Sequence, residues 1–142
     1  MKQIMQQMLQ DVIDQFSPNP EELRSASSYG KCTYHPSINK PKSIGCAIGM
    51  YIGWESAKAL DRRADTFIRK ADTSIRKVIN ARGIPKWMKK IDIDFLSDLQ
   101  YLHDNGSYWR LVGLSTDGMY YIATLCNKFK LDYEKLVFFP NK

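Results

Sequence analysis

Three cysteines and two histidines bound the chemistry available to this chain: Cys32, Cys46 and Cys126, with His35 and His103. One arrangement is a thiol nucleophile. Cys46 falls where a helix is expected to begin, and the free amides of a helix start lower a thiol's pKa. His103 would then serve as base, with Asp104 as a candidate orienting group. Side chains of adjacent helical residues project about 100° apart, so His103 and Asp104 are not expected to bond to one another within a regular helix. The third member would have to be another residue or sit at a distorted helix end. A second arrangement is zinc. Cys32-x-x-His35 with Cys46 supplies three ligands within fifteen residues, and His103 or Cys126 is a possible fourth. Paired Cys-x-x-Cys knuckles, the stronger signal, are absent. The third reading is structural. Buried cysteine behaves as a small hydrophobe, and His103 and Asp104 near a helix end would bond carbonyls or a neighbouring loop. Satisfied polar groups at helix ends are commonplace, so this reading outweighs the other two, and neither a cofactor nor a metal is expected.

A different chemistry is suggested by the charge. Residues 58–90 carry eleven basic and three acidic side chains, a local +8 against −2 for the remainder. Residues 64–77 read ADTFIRK and then ADTSIRK, a near-exact seven-residue duplication. Arg62 and Arg63, Arg69 and Lys70, and Arg76 and Lys77 therefore recur every seven residues. On a helix they lie opposite an apolar arc made by Leu60, Ala64, Phe67, Ile68, Ala71, Ile75, Val78 and Ile79. Asp65 can pair with Arg69, and Asp72 with Arg76, at the i,i+4 spacing. Arg63, Lys70 and Lys77 have no such partner and form a cationic line about 21 Å long. That line fits phosphates or an acidic protein surface. The plainer alternative is a solvated face that keeps the protein in solution. A coiled-coil seam is weaker, because only about two clean heptads exist. No aromatic residue sits within the stripe, so a stacking platform for single strands is not indicated there.

Cys32-Thr33-Tyr34, then Gly45-Cys46-Ala47-Ile48-Gly49, then Leu99-Gln100-Tyr101-Leu102-His103-Asp104 and Trp109, stand in order along the chain. On these strings the sequence resembles a family of small uncharacterised proteins of phages and bacterial mobile elements. Their pattern is Cys-x-Tyr, a loop, Cys-Ala-(Ile/Val)-Gly, a spacer, Leu-Gln-x-(Leu/Ile)-His-Asp and a nearby Trp. The likeness covers about residues 30–52 and 96–126. It implies kinship and a phage or mobile-element origin, and it brings no activity with it. His35 lies outside the pattern.

These groups need elements to position them. Ile4, Met5, Met8, Leu9, Val12, Ile13 and Phe16 recur at helical spacing and predict an amphipathic helix over 2–16. Ser17-Pro18-Asn19-Pro20 stops it, with Asn19 placed to cap a short second helix. Residues 28–45 suggest an irregular β-hairpin, near 30–46, that leads into a helix at Cys46. Gly45, Gly49 and Gly53, spaced by four, would let another backbone approach closely. One long helix over about 55–82, ended by Gly83 and Pro85, would carry the basic stripe. A break near Asp72-Thr73 is the alternative. Residues 92–104 predict a helix capped by Asp92 or Asp94, burying Phe95, Leu96, Leu99 and Leu102 and ended by Asn105-Gly106. Ser115 or Thr116 caps another through about Lys130, with Met119, Ile122, Ala123, Cys126 and Phe129 as its apolar set. Asp92, Asp94 and Asp98 read as cap and first-turn charges. The Lys135–Phe139 tail, KLVFF, reads as a strand or an extended segment laid on the core, and would be prone to aggregate if left exposed.

The composition sets the frame. The chain has 142 residues, 44% hydrophobic and 25% charged, with a net charge of +6. These values fit one globular domain over 1–142 and exclude collagen, fibrous repeats and disorder. The longest apolar run, Ile44 to Trp54, is 11 residues with three glycines, short of the ~18–20 needed to cross a bilayer. No secretory leader is visible at the start. A phosphate-binding Gly-rich loop, His-Glu-x-x-His and Gly-x-Ser-x-Gly are all missing from the sequence. Tyr108, Trp109, Tyr120, Tyr121 and Tyr133 give the C-terminal half an aromatic excess, whose usual place is the core and its margin. The expectation is a mainly α, compact cytoplasmic domain of about five helices with a small hairpin. It would act by binding, through its basic helix face, to an acidic host protein (a defence component, for example) or to nucleic acid, with no membrane. A cysteine-dependent hydrolase or transferase is the alternative.

Overall fold

The structure is a computed structural model and describes residues 1–24, 47–51 and 84–138. The expected hairpin near 30–46 and the expected helix over 55–82 lie outside the described residues, as do Cys32, His35, Cys46, Arg62, Arg63, Arg69, Lys70, Arg76 and Lys77. What is described is mainly helical, about 70% of it, without a regular strand. No helix among the described residues is long and apolar enough to cross a membrane.

Helix α1 spans Lys2–Phe16 and buries Met5, Met8, Leu9, Val12, Ile13 and Phe16, the face that the spacing predicts. It ends at Ser17. Asn19 then accepts a hydrogen bond from the Glu22 amide and caps α2, Pro20–Leu23, with Pro20 at the first position. Proline fits there because its missing N–H would be unpaired in any case. Helix α3, Ile93–Asp104, is capped by Asp92, whose carboxylate accepts from the Asp94 amide. Its Phe95, Leu96, Leu99 and Leu102 are fully buried. Helix α4, Thr116–Phe129, is capped by Ser115 and closed by Lys130 in the left-handed conformation, φ 58°.

The core is built by α1 against α3 and α3 against α4. On α4 the buried set is Gly118, Ile122, Leu125 and Cys126. Two details depart from the spacing argument. Ala123 is exposed, and Leu125 takes the inward position. The inward face of α4 is turned by its close approach to residues 106–108, where an added Cβ on Gly118 would come within 2.1 Å of the Tyr108 carbonyl oxygen. Ser115 knots this approach. Its hydroxyl donates to the Ser107 carbonyl at 2.7 Å and accepts from the Gly118 amide at 3.1 Å. Between α3 and α4, Trp109 and Leu114 pair as an isolated antiparallel bridge around a tight turn with Gly113 at φ 77°.

The C-terminal segment is laid along α1. After a single 3₁₀ turn, Tyr133–Lys135, the chain runs extended, with Leu136 buried. Two glutamines one helical turn apart hold it. Gln6 donates its amide N–H to the Asp132 carbonyl at 2.9 Å and accepts the Asp132 N–H at 2.8 Å. Gln10 repeats the pattern on Val137, at 2.8 and 2.9 Å. A side-chain amide carries the donor and acceptor of a peptide group, so each glutamine stands in for a strand partner. This satisfies part of the aggregation-prone tail without a sheet.

Candidate functional site

The C-terminal end of α3 gathers the polar residues of the motif strings. Its last carbonyls have no helical partners, and side chains supply them. The Trp109 indole N–H donates to the Leu102 carbonyl at 2.9 Å, and the Arg24 guanidinium donates to the His103 carbonyl at 2.6 Å. His103 itself is fully buried, with the Phe16 ring edge-on at 4.8 Å between centroids. Its Nδ1 lies 2.7 Å from Asp104 Oδ1. This corrects the expectation that adjacent helical residues would not bond. Nδ1 is the ring nitrogen nearest the backbone, and Asp104 is the last helical residue, followed by extended backbone at Asn105. Gln100, one turn earlier, holds the same carboxylate oxygen at 2.9 Å. A carboxylate offers only acceptors, so the imidazole Nδ1 donates.

Gln100 also joins the two motif regions. Its Oε1 accepts the Ile48 N–H at 3.1 Å, and Ala47 and Ile48 are buried against the core. The Ala-Ile-Gly string and the Leu-Gln-x-Leu-His-Asp string thus meet through one glutamine whose carbonyl faces the first and whose amide faces the second. Every described residue of these strings that makes one of these bonds serves packing or helix termination. Cys46, immediately before Ala47, lies outside the described residues, so the thiol nucleophile and the Cys32, His35, Cys46 zinc set are left as expectations.

Cys126 does not suit a nucleophile or a thiolate ligand. It is 3% exposed on α4, and burial, helped by the nearby Asp132 charge, pushes its thiol up to about 11. A neutral thiol neither attacks nor binds zinc readily. Among the described residues no three His, Cys, Asp or Glu side chains converge as a metal site.

The second grouping is one that the stripe argument passed over. Lys86–Lys90 forms a 3₁₀ turn behind Pro85. Met88 is fully buried and pins it, while Lys86, Trp87, Lys89 and Lys90 face solvent, Trp87 at 36%. In a 3₁₀ turn, residues three apart eclipse, so Lys90 follows Trp87 on one side and Lys89 follows Lys86 on the other. Among the described residues none of these lysines has a carboxylate within ion-pair distance. The Trp87 ring rests edge-on against Tyr51, with centroids 5.6 Å apart. Tyr51 is fixed in turn by donating its hydroxyl to Asp11 on α1 at 2.8 Å. Burial, and then the Asp11 carboxylate, hold the Tyr51 phenol well above its ordinary range. Lysines on both sides of an exposed tryptophan were legible in the string KWMKK, but its facing required the 3₁₀ geometry and the burial of Met88.

Tyr101, Tyr108 and Tyr121 form a further cluster over α3 and α4, with Tyr108 and Tyr121 stacked at 4.7 Å. The Tyr121 hydroxyl donates to the Asp98 carbonyl at 2.9 Å. These rings mainly join two helices, as expected for aromatics at a core margin. Comparison with family models, with curated proteins and with solved structures returned no match to this chain.

Proposed function

We propose that this is a small phage or mobile-element accessory protein of the host cytoplasm that acts by binding nucleic acid through the basic stretch 58–90. The motif likeness supports the origin. The binding reading is carried by one observation: the described end of that stretch displays Lys86, Lys89 and Lys90 outward, with no carboxylate paired to them among the described residues. Lysines left without partners on a basic segment are what phosphate neutralisation requires. Arg62, Arg63, Arg69, Lys70, Arg76 and Lys77, earlier in the same basic stretch, lie outside the described residues and enter the reading by their charge alone.

Fluorescence anisotropy with labelled DNA and RNA over a salt series tests this. If about six phosphates are neutralised, affinity should fall about 10³-fold between roughly 50 and 200 mM salt. Absence of binding at low salt, together with a stable complex with an acidic host protein, would transfer the surface to the protein-binding, anti-defence reading.

A second reading has its own observation. His103 is oriented by Asp104 at 2.7 Å, and the segment beginning at Ala47 bonds to the same helix through Gln100. A cysteine-dependent hydrolase or transferase using Cys46 and His103 would need the imidazole to be reachable, and His103 is fully buried. Selective alkylation of Cys46 that slows in His103→Ala would favour it. Alkylation indifferent to that change would remove it.

A further inference from the structure

We infer that Trp87 is a base-stacking platform and that the preferred ligand of the basic surface is a single-stranded nucleic acid; this rests on the binding reading above and narrows it. Four observations carry it. Trp87 is 36% exposed on a turn in which Met88 and the following Ile91 are buried. Met88, next to it, takes the inward place. Tyr51 supports the ring edge-on at 5.6 Å and is itself tied to Asp11, so the indole is held rather than loose. Asp11, the carboxylate behind it, is occupied by the Tyr51 hydroxyl and by the Gln7 amide at 2.8 Å.

The fourth observation is charge. Lys90 lies on the same side of the turn as Trp87, and Lys86 and Lys89 lie on its other exposed side, all within one five-residue turn. An exposed, supported indole on the same short turn as three lysines matches a strand whose bases are unstacked and whose phosphates run alongside. A duplex hides its base faces and would use only the lysines. An acidic protein surface would likewise engage the lysines, with no flat ring system to meet the indole.

The test compares oligo(dT) and oligo(U) with a duplex, using wild type, Trp87→Leu and Trp87→Phe. The expected result is tighter binding of the single strands, lost about tenfold in Trp87→Leu and largely restored in Trp87→Phe. Duplex affinity and the salt dependence should not change between these variants. Tryptophan emission of the wild type should be quenched by oligo(dT), and that quenching should vanish in Trp87→Phe, which still binds. The quenching comparison decides the matter even if Trp87→Leu folds poorly. Equal affinity for duplex and single strand, or binding with no quenching that depends on Trp87, would overturn the stacking platform and leave the basic surface standing. Failure of every nucleic acid to bind at low salt would overturn both.

Discussion

Gly118 shows how a single missing side chain decides the packing of two elements. Replacing glycine by alanine inside a helix ordinarily stabilises by about 1 kcal/mol. Here the new Cβ would meet the Tyr108 carbonyl oxygen at 2.1 Å, and backbone cannot step aside as a flexible side chain can. Gly118→Ala should therefore destabilise by about 3 kcal/mol, seen as a lower denaturant midpoint. Cys126 makes a second prediction at the same scale. Its thiol is raised from 9.0 to about 11 in the folded protein. A group with a raised folded pKa gives stability that is complete below the unfolded value and is lost as pH climbs through the folded one. Wild type should thus lose stability relative to Cys126→Ala between pH 9 and 11. Urea unfolding across that range measures the difference. Cys126 was legible as an inward residue from its helical spacing. The sign of its titration needed the burial that only packing supplies.

At the scale of elements, α1, α3 and α4 could be read from apolar periodicity and their capping residues, with Asp92 and Ser115 each one of two caps the spacing allowed. The attachment of the C-terminal segment could not. Gln6 and Gln10 look like ordinary exposed helical residues, and their partners Asp132 and Val137 lie more than a hundred residues away in sequence. Removing both amides in Gln6→Ala/Gln10→Ala should cost about 1 kcal/mol per clamp. Hydrogen exchange should quicken at the Asp132 and Val137 amides and leave the α3 core unchanged; uniform acceleration would mean that the tail is part of the global fold. The end of α3 is a similar case. Trp109→Phe keeps an aromatic ring but removes the N–H and strands the buried Leu102 carbonyl, at a cost of about 1–3 kcal/mol in thermal or denaturant unfolding. The Lys128–Asp98 pair that also links α3 and α4, 2.9 Å apart on the surface, is screened by solvent and should contribute little to stability.

For the molecule as a whole, binding and folding should separate. Lys86, Lys89 and Lys90 are exposed and make no ion pair among the described residues. Changing all three to Gln should leave stability within about 0.5 kcal/mol. Elution from a heparin column should move to lower salt, and the slope of single-strand binding against log salt should drop by about 2. By itself the amino-acid order determined a mainly helical chain, its caps, most of its inward faces and the concentration of positive charge, because these follow from local periodicity and counting. Only the tertiary structure decided that His103 and Asp104 bond at a helix end, that Gln100 ties Ile48 to that end, and that Trp87 stands outward among lysines. Each of those outcomes depends on which groups are excluded from water, and exclusion is a property of elements brought together rather than of any one stretch of chain.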